Sequence, residues 1–176
     1  MSNYFIYTGN AYPHKNLEIL IDAVVLGKFN LKIISARNVF TQRLEKLINI
    51  KRAEKFVEIS GFVDDQKLKS LYKNSIAFVF PTLEEGFGLP PMEAINAGTL
   101  AIVSDIPVLK EVYGESVFYF DPNSVKSIMG AMNNVLKISK VERQKIIKNS
   151  QKFLSKYSWS QMAKETLKIY NSVYGI

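Results

Sequence analysis

Cysteine is absent from the 176 residues. That excludes a disulfide framework and any thiolate metal site, and it is compatible with a reducing cytosol. No apolar run approaches the roughly 20 residues that span a bilayer. The opening MSNYFIYTG has no basic leader before its short, strand-like apolar run, so it does not read as a signal peptide and a cytoplasmic chain is expected. Internal repeats, low-complexity stretches and linkers are also missing, which points to one domain over residues 1–176, long enough to bury a substantial core unaided. Acids are the scarcer charge: 16 Asp and Glu against 23 Lys and Arg give a formal net charge of +7. An excess of this sign suits nucleic acid, an anionic membrane surface, or a general preference for lysine. Neither an aromatic-rich RNA signature nor a DNA-reading motif accompanies it, so nucleic acid is not an expected partner. Gly9 follows the first apolar run without a GxGxxG context, which sets aside a dinucleotide-binding oxidoreductase domain.

What is present is a hydrophobic fraction of 47% arranged in strand-like runs that alternate with helix-like ones. Strands are expected at Tyr4 to Thr8, Leu31 to Ser35, Phe56 to Ser60, Ile76 to Phe80, Leu100 to Val103 and Val117 to Tyr119. Helical stripes fill the gaps. Leu17, Leu20, Ile21 and Val24 mark one over Asn16 to Leu26, with Gly27 as its terminator; others cover 40–53 and 65–73, the latter capped by Asp64 or Asp65. The C-terminal third is helical over Ser124 to Ile138, 141–156 and 158–174. This pattern implies an α/β fold, a Rossmann-like three-layer sandwich with a parallel sheet of about six strands, helices on both faces and a helical tail. Ligands of such folds sit outside the carboxyl ends of the strands. Candidates therefore gather from Asn10 to Lys15, Ser35 to Asn38, Gly61 to Val63, Thr82 to Leu89 and Ser104 to Pro107.

The segment FVFPTLEEGFGLPPMEAINAG, Phe78 to Gly98, carries the most chemistry. Pro81 ends the strand, and Gly86 and Gly88 allow positive φ or close approach of a ligand. Pro90 and Pro91 suit a first helical turn. A helix start with free amides at the positive end of the macrodipole favours a phosphate. Glu85 and Glu93 then need another partner, and sugar hydroxyls fit, since a carboxylate accepts hydrogen bonds from two neighbouring hydroxyls. Taken singly, Glu93 is also a dipole partner in a first helical turn and Glu85 a solvated loop residue; together they read as a site.

At these residues the sequence resembles glycosyltransferase family 4, retaining nucleotide-sugar-dependent enzymes of the GT-B architecture, whose signature is two glutamates with seven residues between them around a GFGLP turn. EEGFGLPPMEAINAG matches it. YTGNAYPHKNLEILIDAV is similar to the family's first strand, phosphate loop and helix, and GFVDDQKLKSLYKNSIAFVFPT to its nucleotide-base segment. SDIPVLKEVYGESVFYFDP and YSWSQMAKETLKIY resemble its last strands and terminal helix. The resemblance is to the second, donor-binding half of a GT-B enzyme. It implies transfer of a hexose from a nucleoside diphosphate sugar to a glycan or lipid-linked acceptor, with an N-terminal acceptor domain or a partner chain completing the enzyme. The other reading is a noncatalytic nucleotide-sugar-binding subunit that works with such a partner.

The resemblance also implies roles. Lys15, just inside a helix N-terminus, neutralises the donor diphosphate; Glu93 holds the ribose; the amides of Gly86, Phe87, Gly88 and Leu89 meet the sugar and its phosphate; Glu85 orients the sugar and supports positive charge at the anomeric carbon. The main chain of Gly61 to Val63 meets the base. Asn10 stands where many relatives have an arginine, with His14 as partial compensation. The GNxxPHKN form leans towards mannose as the sugar. No metal or other cofactor is expected, since Asp64 and Asp65 read as helix caps. Lys145, Lys148, Lys152 and Lys156 line a solvated helix face opposite Ile147, Phe153 and Leu154, with contact to anionic lipid headgroups on the inner face of the membrane as the sharper alternative. Trp159 reads as a packing anchor for the terminal helix, 157–176. In the family that helix crosses back to the other half, so an apolar surface around Trp159, Met162, Leu167 and Tyr170 is expected to be left partly uncovered.

Overall fold

The computed structural model describes residues 4–175. Met1 to Asn3, where the sequence reading found no leader, and Ile176, last of the expected terminal segment, lie outside the described residues. The strands are β1 (Phe5–Thr8), β2 (Leu31–Ile34), β3 (Val57–Ser60), β4 (Ala77–Phe80), β5 (Leu100–Ser104) and β6 (Phe118–Phe120). All pair in parallel, in the order β3-β2-β1-β4-β5-β6. A parallel sheet is covered on both faces, so its inner strands are continuously apolar rather than alternating. FIYT of β1, AFVF of β4 and LAIVS of β5 are buried at every position.

The helices are α1 (Leu17–Gly27), α2 (Val39–Ile50), α3 (Asp65–Lys73), α4 (Leu89–Asn96), α5 (Pro107–Tyr113), α6 (Val125–Leu136), α7 (Lys140–Leu154) and α8 (Trp159–Tyr174). α1 packs with α2 and α6, and α4 with α3 and α7, giving the layers on either side of the sheet. Side-chain oxygens of Asn38, Asp64, Ser124, Ser139 and Ser158 cap α2, α3, α6, α7 and α8. The expected α/β sandwich is therefore the fold.

Several local expectations are corrected. Gly27 does not terminate α1; it is its last residue, and Lys28, at φ 54°, takes the left-handed cap. Glycine is needed there for room, because a Cβ on Gly27 would lie 2.2 Å from the Phe29 ring, which folds back to meet Phe5 edge-on at 5.4 Å. Pro107, expected in a loop, opens α5. Trp159 anchors nothing: it is 72% exposed, and α8 buries none of its residues.

Strand order reverses direction between β1 and β4. β2 and β3 lie on one side of β1, and β5 and β6 on the far side of β4. A crevice opens at such a switch point, outside the carboxyl ends of the two central strands. The loops leaving β1 and β4 are two of the five strand-exit loops that the sequence reading gathered.

Candidate functional site

The β1 exit runs from Gly9 through Asn10 into a 3-10 turn, Pro13–Lys15, and then to Asn16, whose φ of 57° redirects the chain into α1. Lys15 thus stands two positions before α1, with the cap residue Asn16 between, and is not inside its N-terminus as the sequence led one to expect. The two exit loops are tied together at His14, whose carbonyl accepts from the Leu83 N–H at 2.8 Å and the Thr82 hydroxyl at 3.2 Å. His14 has a structural job in its main chain. Tyr7 donates its phenol to the Asn10 carbonyl at 2.6 Å, which holds the first bend of the β1 loop. Asn10 Oδ1 in turn accepts from the Tyr12 N–H at 3.4 Å.

This bracing brings Lys15 and Glu85 into a direct ion pair across the switch point. Both side chains are largely buried, 13% and 12% exposed, and the Lys15 ammonium also lies 5.3 Å from the Phe80 ring centroid. Burial, and then the nearby Glu85 charge, hold the Tyr7 phenol well above its usual range, so it remains a hydrogen-bond donor.

From Glu85 the β4 loop turns into α4. Gly88 sits at φ 82° and ψ 56°, and a Cβ there would come within 2.7 Å of Leu109 Cδ2. Glycine is required at that point on both counts. Gly86 differs. Its φ is not positive, and nothing lies within 4 Å of where its Cβ would be, so what its missing side chain leaves is open space beside the loop. Phe87 turns its ring onto Tyr157, edge to face at 5.2 Å, leaving its amide for recognition.

The start of α4 carries no side-chain cap, and Pro90 and Pro91 remove two further donors. Among the described residues, no protein acceptor takes the amide hydrogens of Gly86, Phe87, Gly88 or Leu89. That is an inventory suited to an anion.

Glu93 is corrected as well. It is the fifth residue of α4, past the first turn, so the role of first-turn dipole partner is removed. Its carboxyl opens to solvent on one side. Desolvation on the other, and then the charge of Asp65, raise its pKa. Glu93 contributes in turn to raising the phenol of Tyr72, held up to about 12 mainly by burial, and that phenol bonds Thr8 Oγ1 at 2.6 Å beneath the site. Val63, beyond β3, packs its side chain against the core, and Arg37 faces solvent. Asp64 caps α3 by accepting the Lys67 N–H at 2.8 Å.

Sequence reasoning missed the layer of tyrosines under the site, Tyr7, Tyr72 and Tyr113. Their signal was present: a phenol inside a fully buried apolar run must find a partner.

The family profile described as "Glycosyl transferases group 1" matches residues 1–153. The chain belongs to this family. Among relatives of this group 1 glycosyltransferase chain, the O-antigen chain mannosyltransferase RfbU of Salmonella typhimurium is 36% identical over 135 residues, covering 76% of this chain and 38% of that protein. The serotype-specific mannosyltransferase WbdA of Escherichia coli is 33% identical over 161 residues, covering 86% of this chain and 19% of its own length. The chain thus spans well under half of these relatives. In structure it is similar to a sucrose-phosphate synthase from Thermosynechococcus elongatus, with a TM-score of 0.86 at 19% identity, covering 98% of this chain and 46% of that one. A glycosyltransferase from Rickettsia africae gives 0.84 at 20% identity over 99% and 48%. These likenesses show that the fold is that of one half of a GT-B enzyme.

Proposed function

We propose that this chain is the donor-binding half of a retaining hexosyltransferase that moves mannose from a nucleoside diphosphate sugar to a glycan or lipid-linked acceptor. The observation that carries the reading is the Lys15–Glu85 pair, held across the switch point beside the uncapped start of α4. A cation, free amides and a carboxylate are the groups that a diphosphate joined to a sugar requires. That RfbU and WbdA are mannosyltransferases supports mannose as the sugar.

In this reading the amides of Gly86 to Leu89 hold the sugar and the phosphate attached to it. Lys15 takes up charge developing on the departing diphosphate, and Glu93 receives the ribose hydroxyls. Glu85 orients the sugar and stabilises the positive anomeric carbon. The anomeric C–O bond to phosphate breaks as the acceptor oxygen bonds to the same face. The acceptor's proton passes to the departing phosphate oxygen, so configuration is retained without a protein nucleophile. The reaction is proposed to need no metal. An acceptor-binding domain or partner chain completes the site, and the lysine face of α7 meets an anionic membrane surface.

Calorimetric titration with GDP, UDP, GDP-mannose and UDP-glucose, with and without magnesium, tests this. One base should bind selectively and independently of magnesium. Glu93→Ala should weaken it about 10- to 100-fold, the worth of one charged hydrogen-bonding group. Unchanged affinity in that variant would refute the ribose assignment, and no binding by the wild-type chain would refute the donor site.

A further inference from the structure

The first turn of α4 is built unlike those of its neighbours. In α2, α3, α6, α7 and α8 the carbonyl of the cap residue accepts directly from the amide four residues on, at 3.1, 2.9, 3.1, 2.9 and 3.0 Å. In α4 a phenol stands between those two groups. Tyr113, the last residue of α5 and fully buried, donates its hydroxyl to the Gly88 carbonyl. The same oxygen accepts the Met92 N–H at 3.1 Å. One hydroxyl from another helix thus replaces the hydrogen bond that would close the turn.

That replacement bears on the amides of the loop. A trans peptide is planar, with its C=O and N–H pointing in opposite directions, and the chain has no cis bonds among its described residues. Holding the Gly88 carbonyl on Tyr113 therefore aims the Leu89 N–H away from the core, towards the crevice. Gly88 is free to follow the pull because it sits in the left-handed region; an added Cβ would meet Leu109 Cδ2 at 2.7 Å, with the Tyr113 ring at an ordinary contact distance of 3.9 Å. Burial, and after it the charges of Glu93 and Glu85, keep the phenol protonated, with the Met92 N–H acting the other way.

We propose that Tyr113 is a positioning residue for the donor site, its hydroxyl setting the direction in which the Gly88–Leu89 peptide offers its N–H to the sugar-linked phosphate. This rests on the nucleotide-sugar reading above. Without the hydroxyl, the Gly88 carbonyl can close onto the Met92 N–H and complete an ordinary helical turn, rotating the peptide and its donor off the phosphate.

The test compares wild type, Tyr113→Phe and Tyr119→Phe. Tyr119 is the control, because its phenol bonds the Leu109 carbonyl at 3.2 Å and the Gly114 carbonyl at 2.7 Å, bracing the same helix away from the α4 turn. Each chain is titrated with GMP, GDP, UMP and UDP and melted without ligand. For the base that wild type binds, Tyr113→Phe should lose about tenfold on the diphosphate, one well-placed hydrogen bond, and keep its monophosphate affinity. Tyr119→Phe should lose only melting temperature. A Tyr113→Phe chain that keeps the wild-type ratio of diphosphate to monophosphate affinity, or that no longer folds, makes the hydroxyl a matter of stability and overturns the proposal. A wild-type chain that binds none of the four instead overturns the nucleotide-sugar reading on which it stands.

Discussion

Lys15 cannot give itself wholly to a diphosphate while it is paired with Glu85. Donor entry must divide or share that pair, and the two side chains are buried enough for the exchange to cost affinity. Glu85→Gln should therefore bind a nucleoside diphosphate more tightly than wild type, on the order of tenfold, while losing transfer from the nucleotide sugar. Calorimetry with the diphosphate alone reads the first effect, and weaker or equal binding would show that the pair does not compete with the ligand. Glu93 makes a second residue-scale prediction. Its ordinary value is 4.5 and desolvation raises it in the folded chain, so protonation favours folding and stability falls as pH rises through the raised value. Glu93→Gln should raise the melting temperature of the ligand-free chain near pH 7, with the gain vanishing as pH falls below 4.5. A pH-independent gain would trace to packing instead. Glu85 and Glu93 were singled out in the sequence because carboxylates beside an uncapped helix start demand a reason. The pairing of Glu85 with Lys15 and the partial desolvation of Glu93 were not legible, since both depend on how segments distant in sequence meet.

At the scale of elements, the strands were read to within a residue at every end, because buried apolar runs are short and sharply bounded. α5 was missed: seven residues opened by a proline are too short to show helical periodicity. The turn at Gly27 was seen for the wrong reason, since glycine there makes room for Phe29 and the left-handed residue is a lysine. α7 was legible in outline: it was expected over 141–156 and found at Lys140–Leu154, but Phe153, placed on its apolar side, is 40% exposed. Its lysines at 145, 148 and 152, and Lys156 just past its end, are all exposed, and none joins an ion pair among the described residues. Leu154 and Ser150 are buried on the opposite side. Lys156 covers the Phe153 and Tyr157 rings at 4.1 and 4.9 Å, and Tyr157 touches Phe87 of the site loop, so this face ends against the proposed donor site. The chain should pellet with phosphatidylglycerol vesicles at low salt, and replacing these lysines together by Gln should abolish it, at about 1 kcal/mol per residue. Equal recovery with neutral phosphatidylcholine vesicles would count against an electrostatic surface.

At the scale of the whole molecule, α8 is the element that the domain does not explain. No helix among the described residues is long and apolar enough to cross a membrane, so its apolar residues call for a protein or an interfacial partner. Trp159, Met162, Leu167 and Tyr170 are 72%, 54%, 58% and 60% exposed, in agreement with the uncovered surface read from the terminal motif. Ile169, Val173 and Tyr174 are exposed as well. Contiguous apolar surface of this kind is costly in water and is removed by association. In this chain alone, a second copy is the partner always at hand. Because Trp159 is the sole tryptophan, its fluorescence reports on that face without labelling. Dilute protein should emit like a solvent-exposed indole, and raising the concentration should shift the emission to the blue in step with a rise in sedimentation coefficient. Trp159→Ala with Tyr170→Ala should move that transition to higher concentration without lowering the melting temperature, since neither side chain supports the core. A chain that stays monomeric, with its indole in water at every concentration, would mean that α8 needs a different surface, such as the rest of a longer enzyme.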